Sequence, residues 1–226
     1  MSDKYDLTRV AYESAYPNSP FFDTWVPREK FLTGLFDDQG NIIISREDDG
    51  IYGIALGSTP EIPAEWKNFS MESRGIAHLP TEFKVVVRWD AYWAPTTQGE
   101  IVETKKSSDE VITNFLKAHA PDSSVYPGND EILQWVEVHE ADELVAVAAL
   151  CRWQSGRVVI SSVATHTAYR GKGFGKRLMQ QSLIAGSLLG EKYLCLGVRH
   201  SNESAQRLYA STGFTLMHNF TYCERR

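Results

Sequence analysis

The sequence predicts a mixed α/β (α+β) chain whose best-defined part is the second half. From residue 109 onward, apolar periodicity and capping residues alternate in the order αβββαβαβ, and a glycine-rich turn at 170–175 joins a strand to a helix. Composition agrees: 42% hydrophobic and 23% charged residues over 226 positions support an ordered core in one large domain or two small ones. No apolar run approaches the roughly 18 residues of a membrane helix. The start, Met1-Ser2-Asp3-Lys4-Tyr5-Asp6, has no basic segment leading into an apolar one. Cys151, Cys195 and Cys223 are odd in number and far apart, a spacing that fits neither a disulfide framework nor a metal site. The expectation is a cytoplasmic protein with reduced core cysteines, no metal and no membrane partner.

In the first half, Pro27 suits the first turn of a helix with Phe31, Leu32, Leu35 and Phe36 as its apolar positions. Asn41–Ser45 and Ile51–Leu56 flank Asp48-Asp49-Gly50 and read as a hairpin. Glu61–Glu65, with Pro60 before it and Pro63 within it, reads as a loop, and Lys84–Trp93 as a strand. Ala94–Ser108 is polar apart from Ile101-Val102 and supplies the expected boundary, giving an α/β region over 1–105 and a second domain over 106–226.

In the second half, Ser107-x-x-Glu110 has capping-box spacing and predicts a helix reaching His119, ahead of Pro121. Ile132–Val138, Glu143–Cys151 and Val158–Thr165, joined by short turns, predict an antiparallel meander. Gly173–Leu189 reads as a helix closed by Gly190, Tyr193–Val198 as a strand, Asn202–Thr212 as a helix closed by Gly213, and Phe214–Cys223 as the last strand.

Charge is unevenly spread. Residues 1–110 hold 11 Lys and Arg against 19 Asp and Glu, and residues 111–226 hold 12 against 10. No acid occurs between Glu143 and Glu191, a stretch that contains Arg152, Arg157, Arg170, Lys172, Lys176 and Arg177. With an overall charge of −6, general nucleic-acid binding is not expected, whereas a local anion site is.

The turn Arg170-Gly171-Lys172-Gly173-Phe174-Gly175 is the place for it. Glycines permit φ > 0 and close backbone approach, so that successive N–H groups converge on an anion at a helix N-terminus. Two other phosphate motifs are excluded. A dinucleotide fingerprint needs a third small residue, but Lys176 and Leu178 stand where it would fall. A Walker loop needs a glycine five places before its Gly-Lys pair, where Arg170 or His166 stands, and a hydroxyl after it, where Arg177 or Gly173 stands.

That loop resembles the R/Q-x-x-G-x-G/A pyrophosphate loop of the GNAT acyl-CoA N-acyltransferases. Downstream, Asn202-x-x-Ala205-x-x-Leu208-Tyr209-x-x-x-Gly213-Phe214 is similar to the second motif of that family. The resemblance covers about residues 109–226. It implies a GNAT-like mixed, mostly antiparallel sheet with flanking helices and a splayed parallel pair made of Val158–Thr165 and Tyr193–Val198. It also implies acetyl-CoA or another short acyl-CoA as co-substrate. Backbone groups of Val163, Ala164 and Thr165 would hold the pantetheine arm, and Arg170, Gly171, Lys172, Gly173, Phe174, Gly175 and Lys176 the pyrophosphate. Asn202 would contact the cofactor arm and Tyr209 would act as general acid. The activity implied is acyl transfer to a primary amine by direct attack; the alternative is a non-catalytic acyl-CoA-binding sensor or scaffold. Acceptors in the family range from small amines to peptides, and the chain would be a monomer or homodimer. Residues 1–105 lie outside the resemblance and would be a degenerate half-copy of the fold or a substrate-binding part.

The base is open. A lysine-like amine with pKa about 10.4 is neutral at pH 7 in only about one molecule in 2,500, a cost of roughly 4–5 kcal/mol unless desolvation or a base helps. Some relatives carry a glutamate near the start of the strand that enters the loop; here Arg157, Val158, Val159 and Ile160 fill that stretch. Glu137, His139 and Glu140 on the neighbouring strand are the candidate bases, beside a water relay. His166 reads as a loop residue. Phe21, Phe22, Trp25, Trp66, Trp89, Tyr92 and Trp93 are candidates for one wall of an acceptor pocket or for ordinary core. The acidic, aromatic first half favours a cationic small amine with an apolar body.

Overall fold

The computed structural model describes residues 3–101 and 106–226. Residues 1–2, the first of the start Met1–Asp6 read above, and 102–105, which adjoin the expected domain boundary and include Val102, lie outside the described residues. The chain forms two units, one of Met1–Ala91, Gly197–Glu203 and Leu216–Arg226, the other of Tyr92–Leu196 and Ser204–Thr215. The class is mixed α/β, with strands mostly antiparallel and parallel pairs among them.

The N-terminal unit opens with α1 (Lys4–Ala15), capped where the Asp3 carboxylate accepts the Asp6 N–H, and the short α2 (Phe21–Trp25). Neither helix was legible in advance, because α1 buries only Tyr5, Thr8 and Tyr12. Strands β1 (Phe31–Phe36), β2 (Ile42–Asp48), β3 (Gly50–Leu56) and β4 (Asn68–Glu72) follow. The expected hairpin is β2–β3, paired from Ile42–Leu56 to Asp48–Gly50. The helix expected after Pro27 is not formed. Residues 28–30 make one 3₁₀ turn and Phe31–Phe36 form β1. The apolar run Ile42-Ile43-Ile44 offers a partner strand, with Phe36, Leu35 and Gly34 opposite those residues in order. Gly34 also sits so close to Thr8 of α1 that a Cβ would overlap its side chain. Sheet pairing overrides a local spacing here. Trp66, Phe69, Met71, Phe21 and Phe22 are buried as ordinary core, as are Trp25 and Ile44.

Strand β5 (Phe83–Pro95) runs from this unit into the next. The C-terminal unit then has α3 (Asp109–His119), the meander β6 (Ile132–Glu140), β7 (Glu143–Arg152) and β8 (Val158–Thr165), and α4 (Phe174–Leu188). Next come β9 (Tyr193–Arg199), α5 (Glu203–Ser211) and β10 (Thr215–Arg225). The meander is antiparallel as expected, and β8 and β9 pair in parallel at Val159 and Cys195. The cap of α3 is Ser108, whose Oγ accepts the Val111 N–H, and not Ser107. Ser107 is otherwise engaged, its N–H donating to Glu137 Oε2 at 2.9 Å. One face of α3 (Ile112, Phe115, Leu116) packs on Leu144, Val147 and Ala164. The three cysteines are unpaired and buried, and burial raises the thiols of Cys151 and Cys223 to about 11.

Candidate functional site

The site grows from the end of β8. Up to Ser161 this strand pairs regularly with β7, Val158 opposite Arg152 and Ser161 opposite Ala149. The register then shifts, so that Ala164 faces Val147 and two residues, Ser162 and Val163, stand against one. That is a β-bulge, and Ser162 within it takes a left-handed φ of 50°. The Ser162 hydroxyl accepts the Val125 N–H at 3.0 Å and donates to the Val125 carbonyl at 2.9 Å. The Ala118–Asp130 segment is thereby pinned to the bulge.

Beyond Thr165 the chain makes a 3₁₀ turn at Thr167–Tyr169 and enters the glycine turn. Gly171 has φ 75° and Gly173 φ 89°, and a Cβ on either would meet no atom within 4 Å, so the space over the turn is open. Gly173 is the N-cap of α4, and no side chain caps the helix. The first N–H groups of α4 therefore point out of the helix end without an intrahelical acceptor. Gly175 is needed for a different reason: a Cβ there would stand 3.2 Å from Leu208 and 3.3 Å from Thr165 Oγ1. Lys172, Lys176 and Arg177 are exposed. Arg170 braces the turn, donating from Nε to the Thr165 carbonyl and from Nη2 to the His119 carbonyl. The acid-free stretch divides in space, since Arg152 and Arg157 face Glu191 while the other four cations belong to the turn. Open glycines, an uncapped helix end and a cationic rim fit a pyrophosphate.

In the same unit Tyr209 on α5 is 5% exposed, with its ring 6.0 Å from Tyr92 and 5.9 Å from Phe214. Its carbonyl accepts the Thr212 and Phe214 N–H groups, which closes the helix at Gly213 (φ 89°). Burial, reinforced by Tyr92, pushes the Tyr209 phenol above its ordinary range. Tyr92, read only as one aromatic among several, is thus the one that neighbours Tyr209.

The candidate bases lie on β6. Glu137 is buried with Oε2 accepting the Ser107 N–H, and His139 Nε2 stands 3.5 Å from the same oxygen and 3.2 Å from Ser107 Oγ. Glu140 is exposed at the β6–β7 turn. In the N-terminal unit, Asn202 directly precedes α5 and is exposed. That unit also holds a pair the sequence did not reveal: buried Asp90 accepts from Asn219 Nδ2 at 2.7 Å and sits 3.0 Å from Nδ1 of half-exposed His200. Separations of 110 and 129 residues leave no local signal for such a cluster. Among the described residues, no three His, Cys, Asp or Glu side chains are grouped to hold a metal ion, and no helix is long and apolar enough to cross a membrane.

The family model described as Acetyltransferase (GNAT) family matches residues 92–214, more than half of the chain. The chain belongs to the acetyltransferase (GNAT) family. The match takes in the whole course from the end of β5 through the glycine turn to Phe214, and no family model covers the first 91 residues. Curated relatives of this GNAT chain include an uncharacterised N-acetyltransferase of Mycobacterium bovis, 34% identical over 73 residues, covering 32% of this chain and 47% of the relative. Another is a [ribosomal protein bS18]-alanine N-acetyltransferase of Haemophilus ducreyi, 32% identical over 75 residues, covering 33% and 51%. The chain thus spans about half the length of the curated relatives it matches. Among solved structures, the GNAT fold recurs in an acetyltransferase from the GNAT family of Colwellia psychrerythraea, at 14% identity and TM-score 0.53, over 100% of this chain and 98% of that one. A GCN5-related N-acetyltransferase of Sphaerobacter thermophilus aligns at 13% identity and TM-score 0.56, over 82% and 80%.

Proposed function

We propose that this chain is a cytoplasmic N-acetyltransferase that moves an acetyl or short acyl group from acyl-CoA to a primary amine by direct attack. The observation that carries this reading is the open, doubly left-handed turn at Gly171 and Gly173, continuous with the uncapped end of α4. Bound acyl-CoA would supply the thioester whose acyl carbon the amine attacks. Amides from Gly171 to Lys176 would hold the pyrophosphate, with Lys172 and Lys176 adding charge. Backbone groups of Val163, Ala164 and Thr165, past the β8–β9 pairing at Val159, would take the pantetheine arm as an added strand. Asn202 would contact that arm too. Tyr209 holds its proton across the physiological range because its phenol is raised, so it can give that proton to a departing thiolate. Glu137, whose Oε2 accepts the Ser107 N–H, His139 or Glu140, directly or through a water relay, would take the proton the amine sheds.

Thiol release over a panel of amines, amino acids and peptides tests the proposal. Tyr209→Phe should lower kcat about 100-fold while leaving the KM for acyl-CoA nearly unchanged. Equal turnover in the variant would remove the role given to Tyr209. A wild-type protein that binds CoA by calorimetry yet releases no thiol would be the sensor instead, a reading favoured by the lack of a carboxylate on β8.

A further inference from the structure

The glycine turn is held from outside by one residue of α3. His119, the last residue of that helix, accepts the Thr167 N–H on Nδ1 at 3.4 Å and, through its carbonyl, a 2.8 Å bond from Arg170 Nη2. It is also the second rung of an aromatic ladder that crosses the turn. Phe115 meets His119 at 4.7 Å, His119 meets His166 at 4.1 Å, His166 meets Tyr169 at 5.3 Å and Tyr169 meets Phe174, the first residue of α4, at 5.5 Å. His166 repeats the hydrogen bond, its Nδ1 accepting the Ala168 N–H at 3.1 Å. A ring nitrogen that accepts an N–H carries its lone pair there, so in its bond to Thr167 the His119 ring proton sits on Nε2.

We infer that His119 is a positioning residue for the pyrophosphate turn, acting through the neutral Nδ1 that fixes Thr167, so that protonating it loosens the turn and weakens CoA binding. The inference rests on the acyl-CoA reading above. The titratable and charged groups that act on His119 are His166 and Arg170 from the turn and Glu143 from β7. Burial first, then His166 and Arg170, hold its pKa below the ordinary histidine value, against the pull of Glu143. It is therefore neutral at pH 7, and the brace is lost as pH falls below the usual histidine range.

Calorimetry with CoA on the full chain between pH 5.5 and 7.5 provides the test, comparing wild type with His119→Asn and His119→Leu. Asn places a carbonyl oxygen near the position of Nδ1 and does not titrate. The Leu variant should bind CoA about three- to tenfold more weakly at pH 7.5, the worth of one net hydrogen bond, with the KM for acyl-CoA raised and kcat unchanged. The Asn variant should bind like wild type at pH 7.5 and more tightly than wild type at pH 5.5. Taking that ratio at each pH cancels the titration of the phosphates of CoA. Equal affinity of Leu and wild type, or an Asn variant that follows the wild-type pH course, would overturn the inference. Amide exchange at Thr167 without CoA separates it from the reading beneath it. A wild type that fails to bind CoA removes the acyl-CoA assignment, while faster exchange in Leu than in Asn still upholds the brace and equal exchange defeats it.

Discussion

Buried His218 of the N-terminal unit and the turn histidines of the C-terminal unit, His119 and His166, are used in opposite ways. In the N-terminal unit the His218 side chain is completely buried, with Nε2 2.7 Å from Tyr12 Oη and Nδ1 2.7 Å from Glu72 Oε1. The network continues to Ser19 from Tyr12, and to Tyr16, Arg74 and the Gly57 N–H from Glu72. Every partner is fixed, and rings of Tyr16, Phe21 and Phe220 close around the imidazole. In the C-terminal unit His119 and His166 are partly exposed and spend Nδ1 on backbone N–H groups of a turn. A histidine tied side chain to side chain within a core ties α1 to β4 and β10. One tied to a turn's backbone sets the geometry of that turn and hands it a dependence on pH.

The sharpest way to break the contrast is at the turn. Gly173→Val forces a β-branched residue into φ 89° and fills the open space above the glycine. CoA affinity should fall about 100-fold or more, with the melting of the N-terminal unit unchanged; calorimetry and amide exchange read the two arms.

At the N-terminal unit the corresponding variant is His218→Leu, which leaves Glu72 buried without its main partner and removes the 2.7 Å contact of Tyr12 Oη with the imidazole. The expected loss is about 3–5 kcal/mol of stability in urea titrations. Its pH dependence has a defined sign. Burial alone would raise the Glu72 carboxyl, but the hydrogen bond and attraction of His218, with the Gly57 N–H and Tyr16, bring it to about 2 from an ordinary 4.5. That stabilisation is complete above pH 4.5 and is lost as pH falls toward 2. The variant should show a much flatter acid limb, and an unchanged limb would move the effect to another carboxylate.

The smallest expected change comes from Ser162→Ala, which removes both bonds to Val125. About 1–3 kcal/mol should be lost, seen as faster amide exchange at Val125. Unaltered exchange there would mean that the loop is held by burial of Val125 alone.

Local rules read the C-terminal unit well because its elements are built by local signals: Gly190 and Gly213 stop helices with positive φ, and the β6–β8 meander turns tightly. The glycine turn is a contiguous motif, so Gly171, Gly173 and Gly175 were legible together. The N-terminal unit was not, because its elements are made by distant partners. Phe31–Phe36 is a strand on account of Ile42–Ile44, and α1 is held by polar contacts of Tyr12 that no apolar periodicity records. Phe69 and Met71 alternate with Ser70 and Glu72 in β4, yet all four are buried, so the pattern that marks a half-solvated strand has no meaning there. The same limit hid His119: nothing near it in sequence says that it will meet Thr167.

The bulge at Ser162 gives β8 something like a reading frame. Side chains on a strand alternate faces, so positions two apart match. Here Ser161 lies opposite Ala149 and Ala164 opposite Val147, so the matching positions are three apart and everything after the bulge is one step out of phase with everything before it. The same residues run as an ordinary strand, without the bulge, would set Ala164 opposite Ala146 instead of Val147 and swing it off the face that packs on α3. The turn that follows would be delivered upside down, with Gly171 and Gly173 intact. For this strand the frame in which the residues are read matters as much as their identity.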